Sequence, residues 1–231
     1  MSAITLDEKV DQAISRIEIV LTACQDRPVA VAWTGGKDST VALHILQQVL
    51  ARRNHSETAP ILALHIDTGH KFSEILIFRD VLAAAWNLDL RILRPTVETS
   101  CFSPDIDTLA CCAALKIAPL KAAITELGIA GLITGLRADE HLSRANRSWH
   151  EPHIEPLHLR CHPILDFTEM DVWAYTFDKG LPYCPLYDQG YRSLGCQPCT
   201  APPSQNWKNE RDGRAPKKEK MLSLLYSLGY F

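Results

Sequence analysis

Long apolar runs are missing from this sequence: none reaches the roughly 20 residues that a helix needs to cross a bilayer. A charged-then-apolar leader is missing too, because Asp7, Glu8, Lys9 and Asp11 interrupt the N-terminal segment. No membrane is expected as a partner, and a cytoplasmic location is the default expectation. Charge of one sign is also scarce. The 231 residues carry 24 Lys and Arg against 27 Asp and Glu, a formal net charge of −3. No global basic field would draw such a chain onto nucleic acid, so any contact of that kind must come from a local patch. Internal repeats and low-complexity tracts are absent. With 46% hydrophobic and 22% charged residues, the composition belongs to a globular chain with one sizeable core rather than a disordered one. Cysteine, in contrast, is plentiful. Eight cysteines in a chain expected to stay in a reducing compartment argue against a disulfide scaffold and for metal binding or thiol chemistry.

Leu6, Val10, Ile14, Ile17 and Leu21 recur at three- and four-residue steps and predict an amphipathic helix. Val29–Trp33 reads as a buried strand that stops at Thr34-Gly35-Gly36-Lys37-Asp38-Ser39, and a helical pattern follows to about Leu50. The alternation repeats: strands at Ile61–Ile66, Leu90–Leu93, Ile129–Thr134 and Leu159–Ile164, helices at Glu74–Trp86 and Leu115–Leu127. Thr168 with Asp171 predicts an N-cap before a helix at Val172–Lys179. The expected fold class is α/β, a doubly wound, mostly parallel sheet covered on both faces, with ligands beyond the carboxyl ends of the strands. Pro95–Thr108 is expected to be a loop. Leu181–Pro216, rich in Pro, Gly and Cys, is expected to be irregular before a last short helix. One domain over 1–231 is expected, with a core at about 1–180 and an irregular, cysteine-containing region at about 181–231.

The strand–loop–helix junction at Thr34–Ser39 has two glycines that let the backbone turn sharply and approach a ligand. Its amides and the following helix N-terminus suit phosphate. The spacing is not that of the longer Walker loop. It resembles the Ser-Gly-Gly-x-Asp-Ser loop of the N-type ATP pyrophosphatases, with Thr34 keeping the first hydroxyl. That resemblance implies an adenine nucleotide alpha-hydrolase-like fold and ATP with Mg²⁺, cleaved to AMP and pyrophosphate. It implies binding roles for Thr34, Gly35, Gly36, Lys37, Asp38 and Ser39, the last three also catalytic.

Further blocks widen the resemblance. His65-Ile66-Asp67-Thr68-Gly69-His70-Lys71-Phe72, with Glu74, Phe78, Arg79 and Asp80, resembles the small, ATP-splitting subunit of bacterial sulfate adenylyltransferase. So do Gly135-Leu136-Arg137, Asp139-Glu140, Ser143-Arg144-Ala145, Asp171-Val172-Trp173 and Pro185-Leu186-Tyr187. The tail residues Glu210-Arg211, Gly213-Arg214 and Gly229-Tyr230-Phe231 fit the same subunit. The wider group is the phosphoadenosine phosphosulfate (PAPS) reductase family. Asp67 ends the second strand, where a carboxylate suits a nucleotide hydroxyl, a metal or simply a strand-end cap. Gly135 is expected to bind nucleotide. Arg137 and Arg144, with Arg147 on the same loop, are expected to neutralise charge on leaving pyrophosphate.

Cys111-Cys112 are adjacent, a poor arrangement for a disulfide and a good one for two cluster ligands. Cys196 and Cys199 have the x₂ spacing that suits one metal centre. The two pairs resemble the four ligands of the iron–sulfur form of adenylyl sulfate (APS) reductase, which implies a 4Fe–4S cluster. Zn²⁺ on the same four thiolates is the alternative. Cys24, Cys161 and Cys184 read as buried and inert, while Cys101, on a polar loop, is open to a reactive role.

The family pattern breaks at one point. APS and PAPS reductases carry a nucleophilic cysteine near the C-terminus, and this sequence has none after Cys199. An ATP loop, four paired cysteines and no tail thiol together resemble the sulfur transferases of the superfamily, including those that install phosphorothioates in DNA beside a cysteine desulfurase. An iron–sulfur-dependent sulfur transferase that adenylates its acceptor is therefore expected, supplied by a desulfurase or other sulfur donor, with DNA among the acceptors. The alternatives are a sulfate adenylyltransferase small subunit with a GTPase partner, a reductase with a relocated thiol, and a non-catalytic sensor of ATP and cluster. The oligomeric state is left open.

Overall fold

The computed structural model describes residues 4–53 and 59–230. Five strands run parallel or are reached through parallel neighbours: β1 (Val29–Ala32), β2 (Leu62–Ile66), β3 (Asp89–Leu93), β4 (Gly131–Thr134) and β6 (Leu157–Cys161), in the order β3-β2-β1-β4-β6. A sixth, β5 (His150–Ile154), lies antiparallel on the β6 edge. β1 sits centrally, and its alternating side chains enter two cores. Val31 and Trp33 pack with α1 (Leu6–Cys24), α2 (Lys37–Arg53) and α3 (Ser73–Ala85), together with α6 (Glu169–Asp178). Ala30 and Ala32 pack with Leu120 and Ile124 on the other face. A strand buried on both sides must be apolar at every position, which is why 29–33 reads as a continuous run. The expected doubly wound α/β sheet is the one observed. The expected cap at Thr168 is also present, as a reciprocal capping box with Asp171.

Two elements differ from expectation. The predicted helix at Leu115–Leu127 begins seven residues earlier, so Cys111 and Cys112 lie on a helix rather than before one. It runs as α4 (Thr108–Cys112), a π-helical turn (Ala113–Ile117) and α5 (Ala118–Glu126). Asp107 caps its start by accepting from the Ala110 amide at 2.9 Å. Pro119 has no N–H for the preceding turn, and the helix widens there. The whole run Thr108–Glu126 is long and apolar enough to cross a membrane by length and composition. Leu120, Ala123 and Ile124 are nevertheless buried, Leu120 and Ile124 in the core beside Ala30, Ala32 and Leu132. The second difference is β5, which the sequence reading missed because Pro152 stands inside it. Proline is tolerated at a sheet edge, where its missing N–H is not needed. The hairpin moves β6 two residues earlier than the strand predicted at Leu159–Ile164.

β1 and β4 are neighbours whose onward connections diverge, so their carboxyl ends form the switch point of the sheet. The loop after β1 and Gly135 after β4 meet there. A Cβ on Gly135 would stand 2.5 Å from the Ser39 amide nitrogen and 2.6 Å from the Asp38 carbonyl carbon. Replacing Gly135 by Ala should therefore push backbone against backbone and cost about 1–3 kcal/mol, seen as a lower urea midpoint. Gly128→Ala, with positive φ but open space around it, should cost about 1 kcal/mol; equal losses at the two sites would refute the crowding.

Candidate functional site

The phosphate loop is held by its own hydroxyls. Ser39 Oγ donates to the Gly36 carbonyl at 3.0 Å and accepts from the Thr34 amide at 3.2 Å, while Thr34 Oγ1 accepts from the Gly36 amide at 3.3 Å. Gly35 takes a φ of +79°, where glycine is favoured. The Lys37 amide donates to the Tyr187 hydroxyl at 2.9 Å, so a phenol covers a donor at the start of α2.

The side chains of Lys37 and Arg137 are buried and do not line the cavity beside the loop. Lys37 Nζ donates to Asp38 (3.2 Å), to the Arg192 carbonyl (3.2 Å) and to Glu210. Arg137 pairs with Asp38, Asp139 (3.3 Å) and Glu210. Lys37, Asp38, Arg137 and Glu210 thus close a ring of alternating charge from three distant parts of the chain. Burial works against the Lys37 ammonium, but Asp38, Tyr187 and Glu210 hold its pKa above the ordinary lysine range. Burial raises the Glu210 carboxyl, opposed by Lys37 and Arg137. A second ring lies beside the first: Glu140 receives Arg144 and Arg211, Arg211 also pairs with Glu219 at 2.6 Å, and Arg144 donates to the Tyr226 hydroxyl at 2.6 Å. Arg147 is turned away, against Glu151 and over the Tyr226 ring. Asp67 accepts from the Gly69 amide at 3.1 Å and stands 4.0 Å from Arg79 and 3.8 Å from Arg94.

The cavity itself is lined by Thr34, Gly36, Asp38, Ser39 and Gly135, as expected, and by Arg144. It is also lined by Lys71, Lys116, Tyr187, Arg211, Arg214 and Tyr230, none of which the sequence reading had placed in a site. Lys71, Tyr187, Arg211, Arg214 and Tyr230 belong to blocks already marked by resemblance, and that was their only signal. Lys116 has the spacing of one helical turn after Cys112.

All four predicted cysteine ligands, Cys111, Cys112, Cys196 and Cys199, line one small cavity with Thr68, His70, Lys116 and Lys218. Thr68 Oγ1 lies 3.2 Å from Cys196 Sγ. Among the described residues no carboxylate lines this cavity. Burial raises the Cys196 thiol, but Lys116, Lys71, Lys218 and Thr68 together bring it down to about 5. Burial, then the neighbouring sulfurs, push Cys111 up to about 11. Among the described residues no three His, Cys, Asp or Glu side chains are arranged to hold a single metal ion. A tetrahedral zinc with thiolates at about 2.3 Å would need its sulfurs about 3.8 Å apart. Four thiolates around either zinc or an iron–sulfur cluster carry net negative charge, and the lysines beside this cavity suit such a group. Cys101 is exposed, while Cys24, Cys161 and Cys184 are buried as expected. Lys116 lines both cavities, so the phosphate-loop cavity and the cysteine cavity share a wall.

Residues 28–202 match the phosphoadenosine phosphosulfate reductase domain. The chain is 31% identical over 191 residues to sulfate adenylyltransferase subunit 2 of Rhodospirillum rubrum, covering 72% of this chain and 63% of that protein. It therefore spans less than two thirds of that relative. It is 31% identical over 189 residues to the phosphoadenosine 5'-phosphosulfate reductase of Xanthomonas oryzae pv. oryzae, covering 77% and 74%. The PAPS reductase from Candida auris, solved as a phosphate complex, superimposes with a TM-score of 0.63 at 22% identity over 85% of this chain and 96% of that one. The U34-tRNA thiolase NcsA from Methanococcus maripaludis, solved with its 4Fe–4S cluster, gives a TM-score of 0.57 at 12% identity over 98% and 80%. These two likenesses establish a shared fold.

The charge ring makes a thermodynamic prediction. Arg137→Met leaves Glu210 and Asp38 to share the single charge of Lys37 and should cost about 3–5 kcal/mol in urea unfolding. Adding Glu210→Gln should make the double variant better than the sum of the singles by about 0.5–3 kcal/mol. Strict additivity would show that the ring is not coupled.

Proposed function

The chain belongs to the phosphoadenosine phosphosulfate reductase family, and from that premise we propose that it is an ATP pyrophosphatase that adenylates an acceptor and passes sulfur to it. The observation that carries the reading is the wall shared by the phosphate-loop cavity and the four-cysteine cavity at Lys116. A chain that activates an acceptor and supplies its sulfur needs the two sites side by side. The whole chain, 1–231, acts as one unit in this reading, because Glu210 of the tail completes the loop.

In this proposal the amides of Thr34–Ser39 and the Ser39 hydroxyl orient the ATP phosphates. Asp38, a carboxylate on the cavity wall, holds Mg²⁺. Arg144, with Arg211 and Arg214, supplies positive charge to the departing pyrophosphate. Lys37 and Arg137 keep Asp38 placed. Asp67 and Gly135 shape the nucleotide end. Cys111, Cys112, Cys196 and Cys199 hold a 4Fe–4S cluster, which when bound supplies iron–sulfur chemistry beside the activated acceptor. Lys71, Lys116 and Lys218 offset its negative charge. In this reading a sulfur donor such as a desulfurase delivers the sulfur. A GTPase partner belongs to the alternative reading as a sulfate adenylyltransferase subunit.

DNA as the acceptor is the finer form of this proposal, and the structure lends it little charge. Arg144, Arg147 and Arg211 are paired with carboxylates, and Arg137, Arg214 and Lys218 are buried. In the tail, Lys208, Lys217 and Lys220 are exposed. An acceptor bound by shape and by the cavity fits better than one bound by a charged surface.

Anaerobically purified protein with Mg²⁺, ATP, cysteine, a desulfurase and candidate acceptors should release AMP and pyrophosphate; ADP and phosphate as products would overturn the reading. Sulfite released from APS or PAPS with thioredoxin would restore the reductase alternative. The same preparation should contain about four irons per chain, lost on changing any of Cys111, Cys112, Cys196 or Cys199 to Ser. Stoichiometric zinc without iron after anaerobic reconstitution would favour the zinc alternative.

A further inference from the structure

All three protons of the Lys37 ammonium and each nitrogen of the Arg137 guanidinium already have a partner in the fold. The three protons of the Lys37 ammonium go to Asp38, the Arg192 carbonyl and Glu210. Arg137 uses all three nitrogens, on Asp38, Asp139 and Glu210. The Glu210 carboxylate splits its two oxygens between the two cations. A phosphate group meets a lysine and an arginine in the same manner, with one oxygen to each. Glu210 therefore fills, beside the phosphate loop, a position that a phosphate could take with the same partners.

Glu210 reaches this position on a strap, residues 208–214, that is tied to the rest of the chain near its two ends and, between them, by Arg211 on Glu140 and Glu219. Asp212 accepts from the Lys208 and Asn209 amides at 2.7 and 2.9 Å, which closes a small turn. Arg192 donates to the Lys208 carbonyl at 3.2 Å. At the far end Gly213 accepts from the Ala201 amide at 2.8 Å, and Arg214 donates to Thr200 Oγ1 at 2.9 Å. Ala215 continues this tie through its amide to the Cys199 carbonyl at 3.2 Å. The strap thus runs from the phosphate loop to the segment carrying Cys196 and Cys199.

We propose that Glu210 is an internal stand-in for phosphate, and that strap 208–214 opens when a polyphosphate replaces it on Lys37 and Arg137. The inference rests on the reading of Thr34–Ser39 as a polyphosphate site. The exchange keeps both buried cations neutralised at every stage, which is the condition for moving a buried charge without a large penalty. The released carboxylate regains water. Arg211, held by Glu140 and Glu219, is the pivot next to it. Because the strap is tied to Thr200 and Cys199, the occupant of the phosphate site is felt at the cysteine cavity.

Inorganic pyrophosphate is the probe, titrated calorimetrically into the full-length wild type and Glu210→Gln. Hydrogen exchange of the 208–214 amides is followed in the wild type with and without pyrophosphate. The variant should bind at least tenfold more tightly, since no internal anion competes, and pyrophosphate should raise its melting temperature more than that of the wild type. Strap amides of the wild type should exchange faster when pyrophosphate is bound. Equal or weaker binding by a folded variant, or strap exchange that is unchanged or slowed in the wild type, overturns the displacement and leaves the polyphosphate site standing. If Glu210→Gln does not fold, the wild-type exchange measurement decides alone. Failure of the wild type and a folded variant to bind pyrophosphate overturns both the site and the inference.

Discussion

The buried ring of Lys37, Asp38, Arg137 and Glu210 is the constraint on which the rest of the site depends. Its members come from the start of α2, the loop after β4 and the C-terminal region. Taking four charges out of water is expensive, and the attraction among them offsets that cost only when all four are present in good geometry. The ring therefore acts less as a source of net stability than as a specification: the phosphate loop, the arginine loop and the tail are correct together or not at all. The second ring, through Glu140, Arg144, Arg211 and Glu219, extends the same logic by one residue along the tail. Glu210 and Arg211 face opposite charges in successive rings, so the backbone at 210–211 is clasped from two directions.

Charge is distributed unevenly across the two cavities. Around the phosphate loop nearly every cation has a carboxylate beside it. Among the described residues around the cysteines no carboxylate lines the wall, and Lys71, Lys116 and Lys218 face sulfur. The Cys196 sulfur and the Tyr230 hydroxyl, which accepts from Lys218 at 3.1 Å, are partners that these lysines face, and burial lowers the pKa of the Lys71 ammonium. The π-helical turn at Ala113–Ile117 contributes by geometry. It follows Cys112 directly and contains Lys116, so a local widening of the helix lies between the two cysteines and the sheet face it covers. Such turns recur where a helix must present side chains at an unusual angle.

Relatives of this chain carry different activities on one sheet, and fold alone does not choose among them. The discriminating features are local. The four cysteines gather in one cavity. The tail closes against the sheet, with buried Arg160 donating to the Gly229 carbonyl at 2.6 Å and to the Tyr230 carbonyl at 3.2 Å. Tyr230 thereby lines the cavity beside the loop at Thr34–Ser39, with Lys116 and Lys218 over its ring.

The sequence by itself determined the layers of the fold, the glycine–hydroxyl loop that lines one cavity and the two cysteine pairs that meet in the other. A strand buried on both faces must be apolar throughout, a loop that cradles phosphate needs glycine and hydroxyl at fixed spacing, and paired cysteines announce a common ligand. These are local signals, written within a few residues of one another. The edge strand β5 escaped because Pro152 breaks the local pattern while costing nothing at an edge, and the helix start escaped because Cys111, Cys112, Ala113 and Ala114 carry no periodic contrast. Only the tertiary structure decided what the charged residues do. Lys37 and Arg137 read as ligands of phosphate, and the fold buries them against Glu210, 173 residues from Lys37. Arg147 reads as a neighbour of the pyrophosphate-binding arginines, and the fold turns it onto Glu151. A long charged side chain can swing toward any partner within reach, and which partner is within reach depends on chain segments that sequence spacing does not relate.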